Sequence, residues 1–432
     1  MAKFRGVFDE DMKKIKLGSI AGMIIYSAWS LSAMAQNRLT VSSDFESGSA
    51  RILSTHQDEQ FISLTPAGDP KRGMPNWWYL RVDHVDTSKA LSVEVIASDA
   101  AVYTDDGDLG GKLPPGWTLP ARAAFSTDGR TWTQTTEGRL SENKMIYSIK
   151  SKSTTVWLAW GPPFTQQDAA EFVTRMEKSN TCAKAFVLCT SKEGRSVPAL
   201  QIMEGNKTLK QRPVIWIDAR QHAWEAGGSW VGVGFVEWLL SNDERARWLR
   251  QNTEVVFVPI MDVDHVSTGD GGKHALPQDH NLDWTASPHW PEVAASQKRL
   301  LAIANEGRMS VFLDLHNPGS GNQLQTLYVI DTEYMKAEAE PRKKRFVELM
   351  IKEFGEIKQI AAKPPVKHPE LFHQVSVPWV LEHTNPQTIA FCVETPWNSP
   401  DGTTEGYRRV GHKLGNVVET LLHQTGNGQQ GN

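Results

Sequence analysis

The sequence predicts a two-part protein: an α/β domain with a mostly parallel mixed sheet flanked by helices, preceded by an antiparallel β-sandwich. Three observations carry this. Short strands separated by Asp-, Gly- and Pro-rich turns run through residues 39–160. After Gly161-Pro162-Pro163 the pattern changes to buried-type strands alternating with helices. The length, 432 residues, exceeds one small domain and suits two.

At the N-terminus, Lys13, Lys14 and Lys16 precede a mostly apolar or small stretch over 17–31, and Ala33-Met34-Ala35 supplies a small-x-small cleavage pattern before Gln36. Residues 1–35 therefore read as a signal peptide, with Met12 as an alternative start, and an exported protein, periplasmic or secreted, is expected. The apolar stretch is shorter than the ~20 residues a spanning helix needs, so no stable membrane insertion is expected. Gln rather than Cys at position 36 gives no lipoprotein anchor.

Residues 36–162 form the predicted sandwich. Its strands include Trp77-Trp78-Tyr79-Leu80-Arg81-Val82, Ala90-Leu91-Ser92-Val93-Glu94-Val95-Ile96 and Thr155-Val156-Trp157-Leu158-Ala159-Trp160, with turns at Asp105-Asp106-Gly107-Asp108 and Pro114-Pro115-Gly116. No constellation of chemical groups stands out in it. Residues 163–425 form the α/β domain. Val214-Ile215-Trp216-Ile217, Glu254-Val255-Val256-Phe257-Val258-Pro259, Ser310-Val311-Phe312-Leu313-Asp314-Leu315 and Ile389-Ala390-Phe391-Cys392-Val393 read as central strands. Helical spacing marks 229–240, 292–304 and 407–423, and a disordered tail is expected over 426–432.

Composition narrows the function. Hydrophobic residues make up 40% and charged ones 22%, which is ordinary for a globular protein. A net charge of -4 offers no polyanion-binding surface, so nucleic acid is excluded as a partner. Sixteen Trp point to core and domain-interface packing. Of three Cys, Cys182 and Cys189 are near enough in sequence to pair, leaving Cys392 over; an odd count defines no disulfide framework.

The chemistry collects at strand ends, where open α/β sheets form their ligand crevice. The strand at 214–218 leads into Arg220-Gln221-His222-Ala223-Trp224-Glu225, another runs into His316, and a third into Glu394. Two imidazoles and a carboxylate suit a catalytic zinc ion, and also iron. A further carboxylate beside the metal-bound water can take its proton. The His-x-x-Glu spacing alone is weak, because His56-Gln57-Asp58-Glu59 and His289-Trp290-Pro291-Glu292 repeat it. Only His222-Ala223-Trp224-Glu225 follows a buried strand and has strand-end partners downstream. No Gly-x-Ser-x-Gly elbow is present, which removes a serine hydrolase.

These residues resemble the M14 zinc carboxypeptidases, and most closely their cytosolic-carboxypeptidase branch. The resemblance rests on Arg220 to Glu225 with Gly228-Ser229-Trp230, Phe257-Val258-Pro259-Ile260-Met261-Asp262, Asp279-His280-Asn281, Asp314-Leu315-His316 and Val393-Glu394-Thr395. Upstream, Phe45-Glu46-Ser47-Gly48 and the strand at 77–82 look like the β-sandwich of that branch. It implies a metallopeptidase in which His222, Glu225 and His316 hold one zinc ion and Glu394 is general base and then general acid. Asn281 would help hold the substrate's terminal carboxylate.

The chain departs from the family pattern at several positions. Leu282 stands where the family has an Arg that pairs with that carboxylate, so no bidentate charge-assisted contact is available there. Asp262-Val263-Asp264-His265 replaces the family's Asn-Pro-Asp-Gly segment. Lys273 is the cation nearest to the position of an oxyanion-stabilising Arg, and Arg220 is a second candidate anchor for an acid. The expected function is an exported metallocarboxypeptidase acting on a peptide or small amide. Two alternatives are a zinc-dependent deacylase or amidase on N-acyl or cell-wall peptide substrates, and a non-catalytic binding member of the family.

Overall fold

The computed structural model describes residues 38–69, 72–103 and 109–428. The signal-peptide segment, the turn at 105–108 and residues 429–432 lie outside them.

The N-terminal unit is built on two five-stranded sheets sharing one apolar core, with a two-stranded ribbon of Ala101–Tyr103 and Leu109–Lys112 beside them. One has the order Thr40–Ser42, Tyr79–Asp83, Thr155–Ala159, Ala124–Ser126, Thr133–Gln134. The other runs Arg139–Ser141, Lys144–Ile149, Leu91–Ile96, Phe61–Thr65, Arg51–His56. Alternate residues point inward, as Leu91, Val93 and Val95 do, which is the period-2 pattern of a half-buried strand. The pairing is antiparallel except for Phe61–Thr65 against Leu91–Ile96, which is parallel.

The second unit is built on an eight-stranded mixed sheet: β1 (Ala183–Thr190), β2 (Ser196–Ile202), β3 (Val214–Ala219), β4 (Glu254–Val258), β5 (Met309–His316), β6 (Thr326–Ile330), β7 (Lys358–Ala362) and β8 (Ile389–Glu394). The strand order is β1-β2-β4-β3-β5-β8-β6-β7. The central run β4-β3-β5-β8 is parallel, and the flanks bring the antiparallel pairs. Every residue of β3, β4 and β5 is buried, so both faces of the sheet are covered.

The helices are α1 (Gln166–Ser179), α2 (Ala226–Leu239), α3 (Glu244–Asn252), α4 (Val263–Thr268), α5 (Pro291–Asn305), α6 (Glu340–Phe354), α7 (Ser376–His383) and α8 (Thr404–Gly428). Thr165 and Asp168 close α1 with a reciprocal capping box. Twelve residues of α2 are buried, and α2, α3 and α6 all pack on α8. Among the described residues, no helix is long and apolar enough to cross a membrane.

Three expectations are corrected. α2 begins at Ala226 rather than near 229, because Gly227 and Gly228, poor helix formers in isolation, are held by close packing. α8 continues through Gly428, so the tail expected from 426 starts as helix. All three cysteines are free. Cys182 and Cys189 lie at the two ends of an extended strand, and seven steps of ~3.3 Å separate them far beyond disulfide reach.

Four indoles join the two units. Trp160 from the sandwich sits 5.0 Å from Trp224 and 4.6 Å from Trp397, and Trp117 lies 5.6 Å from Trp224. Trp224 is inside the His222 to Glu225 loop, and Trp397 follows the end of β8. The sandwich is thus packed directly against the backbone that carries the candidate metal ligands.

Candidate metal centre

Three adjacent parallel strands deliver the site. β3 ends at Ala219 and its following loop places His222 and, at the N-terminus of α2, Glu225. β5 ends on His316, and the register pairs His316 with Glu394 at the end of β8. The close approach of α2 to β5 requires glycine at 228: a Cβ there would stand 2.5 Å from the Leu315 carbonyl oxygen. Asn317 stitches the three ends together. Its Oδ1 accepts from the Gly228 N–H at 2.8 Å and its Nδ2 donates to the Thr395 carbonyl at 2.6 Å.

The donor atoms converge. Glu225 Oε1 lies 2.9 Å from His222 Nδ1, and Oε2 lies 2.7 Å from His316 Nδ1. Each ring turns its other nitrogen to a second carboxylate: Asp279 Oδ1 is 3.4 Å from His222 Nε2, and Asp314 Oδ1 is 2.9 Å from His316 Nε2. Carboxylates behind ligand histidines select the tautomer and orient the ring. Asp314 is itself held by Gln221 Nε2 and Ser376 Oγ, both donating to Oδ2 at 2.6 Å. The donor set fits one zinc ion, with the two Nδ1 atoms and the Glu225 carboxylate facing a common point.

The electrostatics agree with a cation site. Burial pushes the Glu225 carboxyl up, but His222 and His316 outweigh it and bring it to about 2. Burial disfavours a charged His222 and His316, yet Glu225 with Asp279 and Asp314 raises both. Burial, reinforced by Asp314, raises Asp218 well above the usual carboxylate range. Glu394 is pushed up to about 7 by burial first and then by Glu225, against the pull of His316, Lys273 and His222.

A cavity of about 540 Å³ opens on the centre. His222, Glu225, Lys273, Lys358, Tyr328 and Glu394 line it, together with Pro114, Gly116 and Trp117 from the sandwich. The sandwich, in which the sequence reveals no chemistry, therefore supplies one wall. Of the candidate substrate residues, Lys273 lines the cavity, whereas Arg220 and Asn281 do not. Arg220 is buried, and its guanidinium donates to the carbonyls of Phe164 and Ala223. Asn281 Oδ1 accepts from the Ser376 N–H at 3.3 Å, at the start of α7. Both side chains hold backbone, which corrects the expectation that either anchors an acid.

Asp314 and Asn317 were not anticipated as site residues. Asp314 carried a signal, a carboxylate two places before His316 on an otherwise apolar strand, and so on the same face. Asn317 carried none, because its role depends on distant backbone.

A zinc carboxypeptidase family model matches residues 171–272, and a cytosolic carboxypeptidase N-terminal domain model matches 41–160. The chain resembles the M14 zinc carboxypeptidases in both of its units. That resemblance agrees with the single zinc ion that the donor set fits. This chain is 24% identical to human cytosolic carboxypeptidase 4 over 345 residues, 72% of this chain and 31% of that protein. It is 26% identical to an uncharacterized protein of Zymomonas mobilis over 247 residues, 57% of this chain and 59% of that one. The chain thus spans about a third of the human relative.

Two solved structures share the fold. A metallo-carboxypeptidase from Burkholderia cenocepacia has a TM-score of 0.72 at 19% identity, covering 90% of this chain and all of that one. A metallo-carboxypeptidase from Pseudomonas aeruginosa in complex with (2-guanidinoethylmercapto)succinic acid has a TM-score of 0.71 at 19% identity, with 89% and 99% covered.

Proposed function

We propose that this chain is an exported zinc-dependent metallopeptidase of the carboxypeptidase type, hydrolysing a peptide (amide) bond near the end of a peptide substrate. The observation that carries it is the placement of Glu394 across from His316 at the mouth of the His222, Glu225, His316 cluster. Zinc, when bound, supplies Lewis acidity that polarises the scissile carbonyl and acidifies its water. His222 Nδ1, His316 Nδ1 and Glu225 would hold it. A Glu394 carboxylate oxygen takes the proton from the attacking water and passes it to the leaving nitrogen, a transfer for which a carboxyl raised by burial is suited. Lys273 and Lys358 give the cavity positive charge toward a substrate carboxylate or the developing oxyanion.

The Leu at 282, with Arg220 and Asn281 both committed to backbone, favours a second reading: hydrolysis of an N-acyl or cell-wall amide that needs no bidentate anchor. Export is supported by the basic and apolar pattern ahead of Gln36. It is tested by N-terminal sequencing of the mature protein, where a start other than Gln36 or its neighbours counts against it.

The deciding experiment compares free-acid, amidated and N-acylated peptides on wild type and Glu394→Gln. Carboxypeptidase action predicts cleavage of free acids only. Equal turnover of amidated ends selects the amidase reading, and turnover surviving in Glu394→Gln removes Glu394 as the base.

A further inference from the structure

Next to the zinc cluster, and separate from it, stands a second group of the same composition. Asp262 follows β4 and caps α4, His265 is on that helix, and His280 opens a short turn after the loop. His265 Nδ1 lies 2.7 Å from both Asp262 oxygens, and His280 Nδ1 lies 3.4 Å from Asp262 Oδ2. The arrangement is similar to the first centre in one respect: a carboxylate lies between two Nδ1 atoms, with one His and the carboxylate three residues apart, although here it is Asp and His265 Nδ1 reaches both of its oxygens. Asp262, His265 and His280 are 0%, 0% and 1% exposed, and none of them lines the large cavity.

The second observation is an unsatisfied ring. Neither nitrogen of His280 makes a hydrogen bond, and Nε2 of His265 makes none either. Of these orphaned atoms His280 Nδ1 is the one that faces Asp262, and a buried nitrogen without a hydrogen-bond partner calls for an occupant. His280 is aimed: Trp290 stacks on its face at 4.5 Å and 9°, and Glu292 Oε2 stands 3.9 Å from Nε2. That carboxylate is beyond hydrogen-bond distance, so it supplies charge behind the ring, while His280 Nδ1 faces Asp262.

We propose that Asp262, His265 and His280 bind a second divalent transition ion, of the zinc class, as a structural site. Both Asp262 oxygens and the two Nδ1 atoms provide four donors, and two imidazoles with a carboxylate select a borderline metal over calcium or magnesium. Enclosure keeps substrate out, so the ion does no hydrolysis. It fastens β4 to the loop that carries Lys273 into the cavity and Asp279 against His222. A Cβ at Gly272 would stand 2.6 Å from Asp262 Oδ2 and 2.5 Å from the Ala223 N–H nitrogen, so the loop passes between the two centres.

The test counts metal on the full-length protein, stripped with chelator, reloaded with Zn²⁺ and desalted. Wild type is expected to retain two equivalents per chain, and His316→Ala and His280→Gln one each. Co²⁺ loaded into His316→Ala should give a visible d–d spectrum that disappears on adding Asp262→Asn. One equivalent in wild type, abolished in His316→Ala and retained in His280→Gln, overturns the second site while leaving the catalytic one intact. Should His280→Gln fail to fold, the wild-type count and the equivalent held by His316→Ala decide the matter alone.

Discussion

Glu394 is pulled both ways: burial and Glu225 favour its protonated form, while His316, Lys273 and His222 oppose them. In the metal-free protein its carboxyl stands at about 7, above the ordinary 4.5. A raised carboxyl binds its proton more tightly folded than unfolded, so stability falls as pH rises from the unfolded value through 7. Metal-free Glu394→Gln should therefore melt higher than metal-free wild type at pH 8, with the gap closing at pH 5; an equal gap at both rejects the shift. With zinc bound, the same substitution should lower kcat by about 10²–10⁴-fold and keep the metal. Asp314→Asn removes the carboxylate behind His316 and should weaken zinc binding about 10–100-fold, measured by competition with a chromophoric chelator. His222, Glu225, His316 and Glu394 were legible because each stands at or just past a strand end, where a polar group after an apolar run needs a reason. Asp262-Val263-Asp264-His265 read only as an altered family segment, since its partner His280 comes from a distant turn.

At the scale of elements, the decisive contact is α2 against β5. The helix reaches the strand only because residue 228 has no side chain, and that contact brings Glu225 to His316. Gly228→Val should destabilise the protein by about 1–3 kcal/mol, through overpacking against backbone that cannot rotate away. Zinc affinity should fall with it. Gly111→Ala, where a Cβ meets nothing within 4 Å, is the control and should be neutral in denaturant melts. The central strands were readable as continuous apolar runs, since strands covered on both faces need no polar side. Among the outer strands, β1, β6 and β7 were not, because partial exposure blurs their pattern, and β2 carries Pro198 in its interior. The start of α2 was hidden for the opposite reason: two glycines argue against helix locally and are there for packing.

For the whole molecule, the sandwich and the α/β unit share the Trp117, Trp160, Trp224, Trp397 cluster, and one of those indoles belongs to the metal loop itself. Abundant Trp suggested packing between domains, but the sequence could not say that the packing reaches the site. The consequence is mechanical. Trp160 is 1% exposed, donates from Nε1 to the Trp117 carbonyl at 2.8 Å, and touches both Trp224 and Trp397. Trp160→Ala should cost about 3–5 kcal/mol from lost burial and the cavity left behind. Because the cavity forms beneath the loop joining His222 to Glu225, zinc affinity should drop along with stability, though Trp160 contacts none of the three ligands. Calorimetry of wild type should show one cooperative transition for both units, and the variant should separate into two, with the sandwich melting apart from the metal-loaded unit. A single transition in the variant, with zinc affinity unchanged, would mean that the two units are merely adjacent and that the sandwich contributes only the cavity wall.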